Sequence, residues 1–429
     1  MSDEQPLLLI GNPDNRRTAG LQEARKRMDM SPAVVLSYEQ LLRTWRQGGT
    51  LAELVKSVPI AASPLIRLDA PGEDWQVERG LLHLGAMDNK VWRDETFEDI
   101  LSKIGRAESG MSDVWSSSPQ ILGQESLSAE ACLALEQQWG RIYAPAQWFR
   151  GWKVCLERIR LEARELWPEV RFWNDPQEIG LMFDKRACQR HLEQHEISVP
   201  PLLPSSQPVT CSETLRAAMD DSRMHRVFVK LAYGSGASGV VAYQLNPRTG
   251  AEIATTTVGM ETVQGRTVFY NEGKLQKYTS HNEIRILMDW LCAEGAQIER
   301  WMPKATLDQR VYDIRQLVVA GKAGHAVMRL SRTPITNLHL RNERMLPADA
   351  GLSEQYMSMI QQAAQRAMMT FPDSWSAGID VMLTGGMNPR AYVLDVNPFG
   401  DLLYRVQHQG LNAYEWEMML LRKEPVTHA

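Results

Sequence analysis

Long apolar runs are missing from this sequence. Segments such as Pro6–Ile10 and Leu317–Ala320 stop after a few residues, far short of the roughly 20 that a membrane-spanning helix needs. A basic excess is missing too: 47 lysines and arginines face 52 aspartates and glutamates, for a net charge of −5. Nothing therefore draws the chain to nucleic acid or to a membrane, and neither is expected as a partner. The five cysteines, Cys132, Cys155, Cys188, Cys211 and Cys292, lie far apart and form no CxxC pair. That speaks against a disulfide framework or a thiolate metal site and suits a reducing cytoplasm. The opening MSDEQPLLLI has no basic stretch ahead of its apolar residues, so no secretory signal is read there. Also absent are an internal repeat, a GxGxxG dinucleotide loop and a persuasive Ser–His–Asp or Cys–His arrangement.

What is present is an ordinary globular composition, 44% hydrophobic and 23% charged over 429 residues. At about 150 residues per domain, that length makes two or three domains. Pro6–Ile10, then GNPDN, then a helical stretch Thr18–Met28 reads as strand, turn and helix, the opening of an α/β layer. Pro64–Leu68 followed by DAPGED repeats the strand-then-loop pattern. Between Leu81 and Leu166 the periodicity is mostly helical, with Cys132, Leu135 and Trp139, then Leu156, Ile159 and Ala163, at i, i+3, i+7. Nine of the thirteen tryptophans precede residue 175. Trp45, Trp92 and Trp139 are expected to fill a helical core, with an aromatic-lined substrate pocket as the alternative. The loops Gly11–Arg17 and Arg67–Asp74 follow strands, where α/β folds bind ligands, although plain turn chemistry explains their residues equally well. PPLLPSSQP (Pro200–Pro208) is the clearest linker-like break. Beyond Val227 strands alternate with turns, and helices are expected near His281–Cys292 and Leu352–Met369. The expected division is an α/β domain over 1–175 and a larger α+β part over 176–429.

Three segments of that second part carry chemistry. In VFVKLAYGSGASGVVAY (Val227–Tyr243), two β-rich runs flank a loop of small residues. Such a glycine hairpin can fold over a polyphosphate and offer it backbone N–H groups, with Lys230 aimed at the same place; it is equally able to be only a hairpin. Near the C-terminus, GIDVM (Gly378–Met382) and YVLDVNP (Tyr392–Pro398) each place a carboxylate in an apolar run, where an unpaired charge is costly. Asp395 and Asn397, two apart on a strand, share a face, and Asp380 on a neighbouring strand completes an oxygen set suited to Mg²⁺. Between them lie Arg315 and Arg329, placed to offset charge on a transferring phosphoryl group or to make surface ion pairs.

In their order, these segments resemble the ATP-grasp superfamily of ATP-dependent carboxylate–amine ligases. The resemblance covers roughly Asn174 to Leu402, and the whole chain also looks like a poorly characterised bacterial ATP-grasp family. It implies a Rossmann-like α/β N-terminal domain ahead of α+β ATP-grasp domains, with a hinge near 298–303. Lys185, in FDKRA, and Lys230 would contact the phosphates of ATP, and Ser235, Gly236, Ala237, Ser238 and Gly239 would close over them. Glu299 and the backbone of Arg300 and Trp301, in IERWM (Ile298–Met302), would read the adenine, and Asp308 is a candidate ribose ligand. Asp313 and Arg315 match the family's DxR, Arg329 its phosphate-facing arginine, and Asn337 an asparagine near the acceptor end. Asp380, Asp395 and Asn397 match the magnesium ligands; many relatives carry Glu where Asp395 stands.

The chemistry implied has two steps: a carboxylate attacks the γ-phosphorus of ATP, and an amine displaces phosphate from the acylphosphate. Small-molecule or peptide carboxylates and amines are the expected substrates, with ATP and Mg²⁺ as cofactors. The alternative is a phosphotransferase on the same fold. His325 and His339 lie within the motif stretch without a required role.

Overall fold

The computed structural model describes residues 5–58, 60, 63–86, 126–234, 238–336, 342–400, 403, 405–424 and 426. Trp92, Ser235, Gly236, Ala237, Asn337 and His339 lie outside them. The chain opens as β1 (Leu7–Gly11), α1 (Arg16–Arg27), β2 (Val34–Ser37), α2 (Tyr38–Arg46), α3 (Leu51–Val55), β3 (Leu65–Leu68), α4 (Trp75–Leu84), α5 (Ala129–Ala134), α6 (Pro145–Leu166) and β4 (Arg171–Phe172). There follow α7 (Pro176–Phe183), α8 (Lys185–Gln194), α9 (Ser212–Asp221), β5 (Arg226–Leu231), β6 (Val240–Leu245), β7 (Glu252–Val263), β8 (Arg266–Tyr278), α10 (His281–Ala293) and β9 (Ala296–Arg300). The last part holds β10 (Thr306–Leu307), β11 (Arg310–Val319), β12 (Lys322–Ser331), β13 (Glu343–Met345), α11 (Glu354–Met368), β14 (Ser376–Leu383), β15 (Ala391–Asn397) and α12 (Ala413–Lys423).

β1 is apolar along its length because both faces of its sheet are covered. The four strands are parallel, in the order β2-β1-β3-β4. Leu8 and Ile10 face a core with α2, α4 and α6, while Leu7 and Leu9 face one shared with α1 and α12. The last helix thus packs with the first strand: Trp416, Met418 and Leu420 join Leu7, Leu9 and Leu21. Trp45 is buried, with its Nε1–H on Glu162 at 3.0 Å. Trp139 corrects the helical expectation, being 88% exposed. α5 ends because Leu135 turns extended (φ −62, ψ 134), and the chain then bonds to β8, with Ile142 N on Phe269 O at 2.9 Å. Those sheet bonds replace the helical ones that Trp139 would need.

The remaining strands form two further sheets. One is antiparallel, β8-β7-β6-β5-β9, with α9 and α10 packed against it. The other runs β13-β12-β11-β14-β15, with β10 beside β11. Ile360, Ala364, Ala367 and Met368 of α11, at helical spacing, cover one of its faces through Ile314, Val318, Ile379, Val381, Val393 and Val396. Two stretches cross between these sheets, residues 199–203 and 301–305, and the first runs beside β9, the strand from which the second departs. Leu203 N donates to Ile298 O at 2.9 Å and Arg300 N to Pro201 O at 2.8 Å. The proline-rich break is therefore a lobe-to-lobe crossing.

α7 starts cleanly because Asp175 caps it, accepting from Gln177 N at 2.7 Å, with Pro176 in its first turn. Within it, burial pushes the Glu178 carboxyl up from 4.5 to about 8, against the Asp373 N–H that it accepts. Between those values the folded chain holds a proton that the unfolded chain releases, so stability falls as pH rises through this window. Glu178→Gln should flatten that fall and raise the melting temperature at about pH 8 relative to the unaltered protein; thermal melts across the window check it.

Candidate functional site

The face of the larger sheet away from α11 carries a row of charges set by strand register. In the antiparallel pairing, Asp313 on β11 sits opposite Arg329 on β12, and Arg315 opposite Asp380 on β14. Asp380 in turn sits opposite Asp395 on β15, and Gly378 opposite Asn397. Cross-strand partners share a face, so these residues line up. A β-bulge is needed to complete the row: Val381 pairs with Val393 while Asp380 pairs with Asp395, leaving Leu394 extra. Val393 and Val396 then both point into the core and Asp395 joins Asn397 on the opposite side.

Asp313, Arg315, Arg329 and Asp380 are buried and charge-paired, while Asp395 and Asn397 are half-buried at the end of the row. Arg315 holds Asp380 through Nε on Oδ1 and Nη2 on Oδ2, the latter at 3.1 Å. Arg329 bridges the two acids, Nε to Asp313 Oδ1 at 2.6 Å and Nη2 to Asp380 Oδ2 at 3.1 Å. Burial alone would raise the Asp380 carboxyl, but Arg315 and Arg329 outweigh it and hold the group well below the usual carboxylate range. Asp313 is likewise lowered, burial being overcome by Arg329 and Lys304. Burial depresses the Arg329 guanidinium less than these two acids raise it. Lys185, first residue of α8, reaches Asp395 Oδ2 at 2.5 Å.

The smaller antiparallel sheet turns a matching face to this row. Lys230 on β5 pairs with Glu299 on β9 at 2.6 Å. Glu299 is 2% exposed, and its second oxygen, Oε2, accepts no hydrogen bond among the described residues. Beside it Phe228, Ala242 and Ile335 form a small apolar cluster with Val240, Leu275 and Trp301; Ile335 belongs to the other lobe. The glycine loop begins here: Gly239 has φ +70, and a Cβ there would lie 2.4 Å from the Leu231 side chain, so only glycine fits. Ser238 precedes it, and Leu231 N donates to Gly239 O at 2.9 Å, pinching the loop base. Lys185 N donates to Ala232 O at 3.0 Å at that base, so one residue touches both the loop and β15.

Among the described residues, lysines 185, 230 and 304 with Arg315 and Arg329 bring five cations against Asp313, Asp380, Asp395 and Glu299, one positive charge in excess. A magnesium ion fits the oxygens that remain. Asn397 spends its Nδ2 on Gly378 O at 3.0 Å and keeps Oδ1. Asp395 keeps Oδ1, and Asp380 retains one of its roughly four acceptor positions. Among the described residues no group of three or more His, Cys, Asp and Glu is placed to hold a metal, so the amide oxygen of Asn397 is needed as the third ligand.

Other expected residues stand differently. Asp308 lies at the tip of the β10–β11 turn, its side chain 78% exposed and paired with Arg310 at 3.4 Å, and no contact joins it to the row among the described residues. The amide N–H groups of Arg300 and Trp301 are spent on Pro201 O and Arg226 O. Those two donors are therefore not open at the hinge, and Glu299 Oε2 is a buried side-chain acceptor without a partner there among the described residues; Met302 follows in the crossing. His325 is buried beside His408 and Trp416, on the Leu411 carbonyl.

The sequence matches no family model and no curated protein. Among solved structures it is similar to D-cycloserine synthetase DcsG, at 11% identity and TM-score 0.48, over 97% of this chain and 99% of that one. It is also similar to macrocyclase MdnC bound with precursor peptide MdnA from Microcystis aeruginosa, at 10% identity and TM-score 0.47, over 97% and 99%. A third similar structure is the ATP-grasp ligase PsnB complexed with a phosphomimetic variant of its minimal precursor, Mg and ADP, at 12% identity and TM-score 0.45, over 98% of each chain.

Lys304 is a member of the group that sequence reasoning passes over. It lies just beyond the hinge, and its Nζ donates to Asp313 Oδ2 at 3.0 Å and to Thr336 Oγ1 at 2.7 Å. Burial lowers its ammonium pKa; Asp313 opposes this, while Arg329 and, from the other lobe, Lys230 add to it. Lys304→Met should cost about 1–3 kcal/mol in urea unfolding, because Asp313 loses one partner and keeps its others. Asn174 is a second residue that carries no sequence signal. Its Oδ1 accepts from Trp375 N at 2.8 Å and Ser376 N at 3.0 Å, and its Nδ2 donates to Ser376 O at 2.8 Å and Pro398 O at 2.5 Å. It thereby fixes the start of β14 against the exit of β15.

Proposed function

We propose that this chain is an ATP- and magnesium-dependent ligase that activates a carboxylate as an acylphosphate and joins it to an amine. The observation that carries this reading is the row Arg329–Asp313–Arg315–Asp380–Asp395, buried except at Asp395, closed by Lys185 and Lys304 and richer in cations than in acids among the described residues. Such a site suits a polyanion that must be stripped of water, positioned and charge-balanced. The triphosphate lies between the glycine loop and the row. The adenine occupies the apolar cluster at Phe228, Ala242 and Ile335, its amino group donating to the orphaned Glu299 Oε2. Asp380, Asp395 and Asn397 hold magnesium, which when bound offsets phosphate charge and orients the γ-phosphate.

Lys185, Lys230, Arg315 and Arg329 bind the phosphate oxygens as charge builds on them. The substrate carboxylate attacks the γ-phosphorus, the bond to the β-phosphate oxygen breaks, and ADP leaves. The amine then attacks the acyl carbon, the C–N bond forms, orthophosphate leaves and the amine gives up its proton. As the resemblance implies, we assign closure over the phosphates to Ser235–Gly239, of which Ser238 and Gly239 are described, and the acceptor end to Asn337. The cytoplasm suits such a reaction; among the described residues no helix is long and apolar enough to cross a membrane.

The test is ³¹P NMR of ATP incubated with the protein, magnesium, a panel of carboxylates and hydroxylamine as a general amine. ADP, orthophosphate and a hydroxamate are expected. A stable phosphorylated product would assign phosphotransfer instead, and absence of AMP-PNP binding by calorimetry would overturn the reading.

A further inference from the structure

Asn174 lies where the chain leaves the first sheet for the larger one, and its backbone is held on both sides. Trp173 N donates to Ile66 O of β3 at 2.7 Å, and Asp175 N donates to Asp373 O at 2.9 Å. Between them Asn174 bridges Ser374 in antiparallel fashion. The residue is buried, so its side chain is delivered to one place.

That place is the metal end of the charged row. Gly378 and Asn397 form the last pair of the β14–β15 ladder. The ladder stops there because Pro398 has no N–H to give, and Gly400 N donates to Asn397 O at 3.3 Å, turning the chain out of the sheet. The side chain of Asn174 continues the pairing where the backbone cannot. Its Nδ2 donates to Ser376 O, on β14, and to Pro398 O, just past β15. Its Oδ1 accepts from the amides of Trp375 and Ser376. Carbonyl oxygens only accept and backbone N–H groups only donate, so these four partners settle which end of the amide is nitrogen and fill all its positions. One side chain thus acts as an added rung between the two strands that carry Asp380, Asp395 and Asn397.

We propose that Asn174 is a positioning residue for the divalent metal: by holding the Pro398 carbonyl it fixes the backbone from which Asn397 presents Oδ1. The assignment rests on the ligase reading, in which Asp380, Asp395 and Asn397 hold magnesium, and adds the residue that sets its affinity. Asn397 is the member of that set with most need of support. Asp380 is clamped by two arginines, whereas Asn397 is half-buried at the strand end, with Nδ2 on Gly378 O at 3.0 Å. Loss of a partner behind a metal ligand typically weakens binding 10–100-fold. Asn174 acts through one residue of backbone, so the lower end, about tenfold, is expected.

The probe is Mn²⁺, titrated into the full chain with AMP-PNP and followed by electron paramagnetic resonance, beside calorimetry of AMP-PNP without metal. Asn174→Ala should weaken Mn²⁺ about tenfold and leave the metal-free AMP-PNP affinity unchanged. Asn174→Asp keeps an oxygen for the amides of Trp375 and Ser376 but turns a second oxygen against the two carbonyls, and should weaken Mn²⁺ as much. A residue that served only the start of β14 would tolerate Asp. Ile159→Ala, in the buried core of the first sheet, should lower the melting temperature and keep the Mn²⁺ affinity. Variants of Asn174 that bind Mn²⁺ like the unaltered protein, or an equal loss in Ile159→Ala, overturn the proposal. If the unaltered protein binds AMP-PNP but no Mn²⁺, the metal reading falls and this assignment with it. Should AMP-PNP itself fail to bind, the nucleotide reading falls, and Mn²⁺ titrations without nucleotide still decide Asn174. Asn174→Asp, which keeps more of the bonds, decides the matter if Asn174→Ala does not fold.

Discussion

Asp380→Ala is expected to cost about 3–5 kcal/mol of stability, the price of leaving buried partners with an uncompensated charge. Arg315 and Arg329 both lean on this carboxylate, and all three side chains are no more than 10% exposed. Removing it takes from both guanidiniums the carboxylate they share, leaving Arg329 with Asp313 among the described residues. Against a total of about 5–15 kcal/mol for a folded domain, the loss is large enough to shift the urea midpoint well outside experimental scatter. The double variant Asp380→Ala/Arg315→Met should recover part of it, because the stranded cation goes too. A single-variant loss under about 1 kcal/mol would mean that the row is far better hydrated than its burial implies. The pH dependence has a matching sign. Asp380 and Asp313 have folded pKa values below the unfolded one. Their contribution is complete above the unfolded value and is lost as pH falls toward the folded one.

Asp395→Ala separates chemistry from stability. Its side chain is 24% exposed and its ion pair is with Lys185, itself 15% exposed, so the melting temperature should move little. ADP formation should fall by at least the 10–100-fold that loss of even an outer-shell metal partner costs. Asp395→Glu, which restores the carboxylate one methylene further out, should recover part of the activity. Full activity in Asp395→Ala would remove this residue from the metal site.

Much of the site was legible because charge in an apolar strand is costly and therefore conspicuous. Asp380 and Asp395 stand out in GIDVM and YVLDVNP for that reason, and strand alternation puts Asn397 beside Asp395 once the bulge is granted. The bulge itself leaves no mark, since Leu394 reads as one more apolar strand residue. Lys304 was hidden because Pro303–Lys304 reads as a loop, and its partner Asp313 is met only when β10 and β11 turn back. The occupied amide of Arg300 was hidden for a related reason: its acceptor at Pro201 sits in a stretch whose prolines suggest a linker. Trp139 misled because helical spacing was counted without the competing sheet bonds at Gly140 and Ile142. Two strands of the first sheet, by contrast, were legible in Pro6–Ile10 and Pro64–Leu68, each an apolar run stopped by a turn, whereas the short β2 and β4 were not.

The bonds that join Pro201–Leu203 to Ile298–Arg300 bear on how the two lobes are linked. A single tether would act as a swivel and leave every rotation open. Here the first crossing is stitched to β9, the strand from which the second departs, so the two leave the smaller sheet side by side. Two links set abreast make a strap that flexes across its width and resists torsion.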